Sequence, residues 1–349
     1  MKKFVLLFLF IGCVMSLHAQ SVVTVTSPDG TSKIFSTIKE AIDGASDNDI
    51  VYLPAGSYSL ADVPSIDKKL HIIGAGYNPT VRGAEGITSL RGSIYLLSGM
   101  SGGSVQGLSI EGSVFFGNSD NRSVEINNIV ISRCSFNGLF LGYSWDGIGK
   151  SNNVLISECI VRTSMWGGRC SNVKVEKCII VQQDIQSRLI TYFDDAIFTN
   201  NILIPLDSYA CNYVTNCIFQ NNIITAGAFY YVNTFSGNKL FNNLYSHGEL
   251  NTAGVTVSTG NVRMDLDKIF VNFDAKAPLS FENDYQLTKE AINAIKSTDG
   301  TQVGIYGTNA PFKKFGIPVN PFIKEAKVST KTNAKGQLKV EFKVEAQSN

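Results

Sequence analysis

Five short segments of this chain collect the residue types that bind and cleave sugars. They are Tyr143-Ser144-Trp145-Asp146, Met165-Trp166-Gly167-Gly168-Arg169, the run holding Asp184, Arg188 and Tyr192, the lone Tyr209, and Phe229-Tyr230-Tyr231. Both tryptophans of the protein fall in this set. Trp and Tyr present flat apolar rings with a polar tip, which suits stacking on sugar rings, and Trp145, Trp166, Tyr209 and Tyr230 form the candidate strip. A lyase needs a base near the sugar C5 proton and a cationic group to neutralise the uronate carboxylate. Arg169 or Arg188 fits the neutralising role, and Asp146 and Asp184 fit acid or ion-ligand roles. A plainer reading of the same residues is open: the two tryptophans stack on each other as packing, and the four charged residues form loop ion pairs.

Hydrolysis is less well supplied. It needs two carboxylates facing one bond. Asp194 and Asp195 are adjacent, and neighbours on a strand face opposite sides. Six cysteines lie beyond the first residues, at 134, 159, 170, 178, 211 and 217, with no Cys-x-x-Cys spacing, and the chain has only 3 histidines. A Cys/His zinc site is not expected.

Positioning these groups falls to a β-rich chain. Of 349 residues, 44% are hydrophobic and 17% charged, which excludes a mostly disordered protein and argues against a coiled coil. Lys+Arg is 30 against Asp+Glu 29, so no net charge draws the chain to nucleic acid. Lys2 and Lys3 precede an apolar run from Phe4 to Leu17, an export signal too short for a membrane span. Two readings of it are open: cleavage after Ala19, or lipidation at Cys13 within Ile11-Gly12-Cys13. Both export the chain to the periplasm, the cell surface or the medium.

A repeat organises the rest. Ile129-Val130-Ile131-Ser132-Arg133-Cys134-Ser135-Phe136, Val154-Leu155-Ile156-Ser157-Glu158-Cys159-Ile160-Val161 and Val173-Lys174-Val175-Glu176-Lys177-Cys178-Ile179-Ile180 align. Three further copies carry Asn201, Asn222 and Asn243 in the Cys column. Apolar alternation slips phase after two polar residues, which predicts two strands meeting at a sharp corner. Asn tolerates the left-handed backbone a corner needs, so Asn200, Asn221 and Asn242 are expected to stack there with side chains bonding between coils. Short β-runs at this period indicate a solenoid. Its coils lie about 4.8 Å apart, so Cys134, Cys159 and Cys178 become adjacent inward thiols. They are expected to pack as small hydrophobes, with a bridge such as Cys211 to Cys217 left open. Arg133, Glu158, Lys177 and Asn200 are expected to form a solvent-exposed surface ladder. Ahead of the repeats, Thr37 to Glu40 is a capping box, and Ile38, Ala41, Ile42 and Ala45 share one helical face over the stack end.

This pattern resembles the right-handed parallel β-helix of the pectate lyase and polygalacturonase superfamily. The helix-then-strand entry from Ile38 through Tyr58 is similar to that superfamily's N-terminal cap, and the stretch from Lys268 to Phe322 resembles the closing segment of exported bacteroidete β-helix proteins. The resemblance implies a groove along one face. It also implies an arginine or lysine as the base, a role that would fall to Arg169 or Arg188 here, and Ca²⁺ as the cation that acidic residues from stacked coils would hold. The hydrolase motifs do not carry over: of the superfamily's Asn-Thr-Asp, Asp-Asp, Gly-His-Gly and Arg-Ile-Lys, only Asp194-Asp195 matches, and His247 lacks the glycine before it.

The expected organisation is a leader over 1–19, an all-β parallel β-helix with a short capping helix over 20–318, and a β-hairpin over 319–349. The hairpin, from Ile323 to Thr330 and Leu338 to Val344, is read as an edge cover or a docking strand. The expected protein is an exported monomer that recognises polysaccharide, with lyase cleavage of an acidic glycan the enzymatic option. A non-catalytic structural or adhesive solenoid is the alternative.

Overall fold

A computed structural model describes residues 22–79, 86–143, 149–183, 188–206, 211–225, 231–246, 248, 253–280, 283–314, 316–317, 322–332 and 335–345. The leader, Trp145, Asp146, Asp184, Tyr209, Tyr230 and His247 lie outside the described residues.

The chain enters through the cap its sequence predicts. Strand Val23–Thr26 pairs antiparallel with Ser32–Phe35 on one side and Ile50–Leu53 on the other. Between them runs the helix Ile38–Gly44. Thr37 Oγ1 accepts the Glu40 amide at 3.1 Å, and the Glu40 carboxylate accepts the Thr37 amide at 3.2 Å, which satisfies amides that a helix start leaves open. Ile38, Ala41, Ile42 and Ala45 are buried against Val23, Val25 and Val51.

From Ile50 the pairing turns parallel, and the chain winds as a β-solenoid of about 9 turns. Each full coil contributes to three faces. The first is a twelve-stranded sheet. In it the register runs Ile131, Ile156, Val175, Phe198, Phe219, Leu240 along one inward column, every member fully buried. The second and third faces belong to one forked sheet, because Ser135–Phe140 and Ile160–Trp166 bend and serve both arms.

The corner between first and second faces explains the phase slip. Arg133, Glu158, Lys177, Asn200, Asn221 and Asn242 all take a left-handed backbone, with φ between 50° and 58°. One residue further on, Cys134, Cys159, Cys178, Asn201, Asn222 and Asn243 form a single buried column. A left-handed corner turns the next amide inward, away from the sheet ladder, and a buried amide needs an acceptor. Cys178 Sγ accepts the Cys159 amide at 3.4 Å, and Asn201 Oδ1 accepts the Cys178 amide at 2.9 Å. The ladder of side chains therefore runs through Asn201, Asn222 and Asn243, not through Asn200, Asn221 and Asn242 as the sequence suggested. All six described cysteines are buried and free, so Cys211 and Cys217 are not bridged.

The strands of the second face are apolar on both sides, as in Ile179-Ile180-Val181 and Ile202-Leu203-Ile204. Such runs signal a sheet covered on both faces. The cover is the segment 266–317. It includes the antiparallel pair Phe270–Asn272 with Asp284–Leu287 and the helix Lys289–Ala294, capped by Thr288. Phe270, Tyr285, Leu287, Ile295, Val303, Ile305 and Phe312 bury Ile160, Ile179, Ile202, Ile204, Ile223 and Leu244 in a second hydrophobic core.

The same segment then descends the corner as a strap. Asn242 Nδ2 donates to Lys296 O (2.9 Å), Asn221 Nδ2 to Thr298 Oγ1 (3.0 Å), and Asn200 Nδ2 to Gly304 O (3.3 Å). Further along, Lys177 Nζ donates to Ala310 O (2.8 Å), Glu158 Oε2 accepts the Lys313 amide (3.2 Å), and Arg133 Nη1 donates to Ile317 O (3.1 Å). The charged ladder expected in solvent is thus buried: Glu158 is 7% exposed and Lys177 9%. Gly304 sits at φ +80°, where a Cβ would stand 2.4 Å from Ile223 Cδ1, so the strap can lie this close only with glycine there. Past the strap, Phe322–Thr332 and Leu338–Glu345 form a separate two-stranded antiparallel sheet, paired with neither solenoid sheet among the described residues.

Candidate functional site

With the second face covered and the first carrying mixed polar side chains, the third face holds the most concentrated outward aromatic surface. Tyr95, Phe115, Phe140 and Trp166 are Cα partners on successive coils. Tyr192 and Tyr213 continue the column on the next two coils. Ring centroids are 5.3 Å apart for Tyr95 and Phe115, 4.7 Å for Phe115 and Phe140, 4.8 Å for Trp166 and Tyr192, and 4.6 Å for Tyr192 and Tyr213. Interplanar angles stay between 10° and 25°. Tyr143 leans on the column at 5.8 Å from Phe115 and 6.3 Å from Tyr95.

Local backbone produces this. Alternation puts Leu139, Met165, Phe193 and Val214 into the core and their neighbours outward. Tyr192 and Tyr213 take φ of +53° and +51°, left-handed positions that an aromatic residue rarely adopts. Their stacking offsets that strain, at about 0.5–1.5 kcal/mol per ring pair. Where ring covers ring, along Tyr95, Phe115 and Phe140 and along Trp166, Tyr192 and Tyr213, the stacks turn edges toward solvent. Tyr213 is the most open member, at 37% exposure. Aromatic edges carry the positive side of the quadrupole, so a row of edges favours oxygen-rich, anionic groups over ring-on-ring stacking.

Trp166 is therefore in the aromatic column, stacked on Tyr192. Arg169 is an exposed turn residue (φ +59°), three residues past Trp166 at the border with the first face. Arg188 lies at the opposite border, next to Leu189, whose carbonyl accepts the Met165 amide at 2.9 Å. The two arginines stand at opposite ends of third-face strands on successive coils, Arg169 after Trp166 and Arg188 before Ile190, and so flank the column. Asp194 Oδ1 accepts from Thr215 Oγ1 (2.6 Å) and Asn216 Nδ2 (3.1 Å), and Asp195 is a left-handed corner residue. The Asp pair thus ties coils together. Among the described residues no three His, Cys, Asp or Glu side chains gather to hold a metal ion.

Sequence reasoning missed Tyr95, Phe115, Phe140, Tyr213 and Arg162. No single offset from the Cys/Asn column locates these rings. Phe140 follows Cys134 by six residues and Trp166 follows Cys159 by seven, but Tyr192 follows Cys178 by fourteen and Tyr213 follows Asn201 by twelve. Chain inserted between second and third faces absorbs the difference. The available signal was the outward aromatic inside short strands such as Ile94-Tyr95-Leu96 and Val114-Phe115-Phe116.

Among the described residues the aromatic column stays partly exposed along the axis of a parallel β-helix. The chain belongs to the family described as Rhamnogalacturonase A/epimerase, pectate lyase-like, whose pattern matches residues 26–228, more than half of its length. That membership points to a polysaccharide-related function. No curated protein matches the chain. No helix among the described residues is long and apolar enough to cross a membrane.

Proposed function

We propose that this protein is exported and binds an acidic polysaccharide along its third face, with binding rather than turnover as its primary activity. The single observation that carries this reading is the outward column from Tyr95 to Tyr213, on a face the strap leaves open, in a chain of a pectate lyase-like family. Ring edges and tyrosine hydroxyls form the floor of the site, and Arg169 and Arg188 border it with positive charge. The leader sequence with its basic start and apolar run supports export. Binding is favoured over cleavage because the carboxylate of Asp194 is engaged in coil-to-coil hydrogen bonds.

Affinity gels cast with a panel of acidic and neutral glycans test the proposal, run beside an absorbance assay for unsaturated product with and without Ca²⁺. Retardation in acidic glycan gels without product is the expected result. Product formation that disappears in Arg169→Ala overturns the binding-only reading in favour of a lyase. No retardation and no product leave the solenoid a structural or adhesive element.

A further inference from the structure

The border between second and third faces holds a cation that the repeat pattern hides. In the coil of Trp166, Val161 pairs with Phe136 and Ser164 with Gly138, so Arg162 and Thr163 together oppose the single residue Asn137. This is a β-bulge, a device that re-aims a side chain and recurs beside binding sites. The re-aimed residue is Arg162. Its Nη2 donates to Ile110 O, two coils back, at 2.6 Å, which anchors the guanidinium at the border. Its Nε is buried with no hydrogen-bond partner. Glu111 is near enough to raise its pKa, while burial, the larger influence, lowers it. The neighbouring coil brings Arg188 to the same border, since the Met165 amide bonds Leu189 O.

We propose that Arg162 is the carboxylate-recognising residue of the aromatic face, reading uronate charge beside Phe140 and Trp166; this rests on the glycan-binding reading of that face. A guanidinium held by one nitrogen keeps donors for a planar carboxylate, and the partial burial that leaves Nε without an acceptor also strengthens its field. A neutral glycan supplies no such partner. Arg162 thereby sharpens the preference of the ring edges for anionic groups into specificity for acidic over neutral chains.

The test compares wild type, Arg162→Gln, Arg162→Lys and Tyr192→Ala for binding to polygalacturonate and to its fully methyl-esterified form, by calorimetry. Arg162→Gln is expected to lose tenfold or more for polygalacturonate and less than twofold for the ester, with Arg162→Lys between. Equal polygalacturonate binding by wild type and Arg162→Gln, with loss in Tyr192→Ala, overturns the role of Arg162 and leaves the glycan-binding face standing. Absence of binding by the wild type overturns both. Should Arg162→Gln fail to fold, Arg162→Lys keeps the charge without the planar fork, and its ratio of acid to ester affinity decides the point: a ratio equal to wild type overturns the proposal.

Discussion

Asn222 stands one coil beyond Asn201, and its Oδ1 accepts both the Asn201 amide at 2.9 Å and the Asn201 Nδ2 at 3.0 Å. Its own Nδ2 donates to Phe198 O (2.9 Å) and Asn243 Oδ1 (3.0 Å). One side chain thus serves three coils, in a place no water reaches.

Replacing Asn222 by Ala strands the Asn201 amide and the Phe198 carbonyl, and costs about 2–6 kcal/mol at roughly 1–3 kcal/mol per buried orphan group. Asn222→Cys costs less, because Cys178 already performs the acceptor role for Cys159. Urea unfolding of both variants checks the order; a more stable Ala variant would contradict the account of the column.

Glu158 couples the strap to the corner through Arg133 Nη2 (3.2 Å) and the Lys313 amide (3.2 Å). Glu158→Ala leaves the part-buried Arg133 without its carboxylate partner and the Lys313 amide without its acceptor, which costs about 2–4 kcal/mol. Hydrogen exchange over 304–317 is expected to accelerate, while the column from Cys134 to Asn243 stays protected. Uniform acceleration across the chain would mean that the strap is not a separable unit.

Burial raises the thiol pKa of Cys170 from 9.0 to about 11 and that of Cys217 to about 12, and lifts Cys134, Cys178 and Cys211 well above 9.0. The folded chain therefore keeps thiol protons that the unfolded chain releases. The term is fully stabilising below pH 9, and stability falls as pH rises from about 9 to 12. Thermal melts across that range check the sign. A thiol-reactive disulfide reagent should leave all six thiols unmodified at pH 8 in the folded protein and modify them after denaturation.

Tyr192→Ala removes two ring stacks, and a loss of about 1–3 kcal/mol follows from the pair energies. Tyr192→Phe keeps the stacks and is expected to melt within a few degrees of wild type. Retention in an acidic glycan gel should fall for the Ala variant. If it does not, the column is packing alone.

Much of this protein is written locally. Thr37 to Glu40 specifies the cap helix because its capping partners lie within four residues. Ile129, Val154 and Val173 announce their register because the same strand, corner and strand pattern recurs around each of them, even though the coils between are of unequal length. Away from that pattern, the sequence loses the site. Tyr192 and Tyr213 reach the column through chain segments of different size, and only tertiary pairing brings them beneath one another. The burial of Arg133, Glu158 and Lys177 is likewise invisible in the repeat, since their partners lie 133 to 184 residues away on a strap that has no repeat of its own. Periodicity determined the coil and its core; the strap's contacts and the Arg162 bulge were decided only when distant chain closed over them, because a side chain's environment belongs to whatever packs against it.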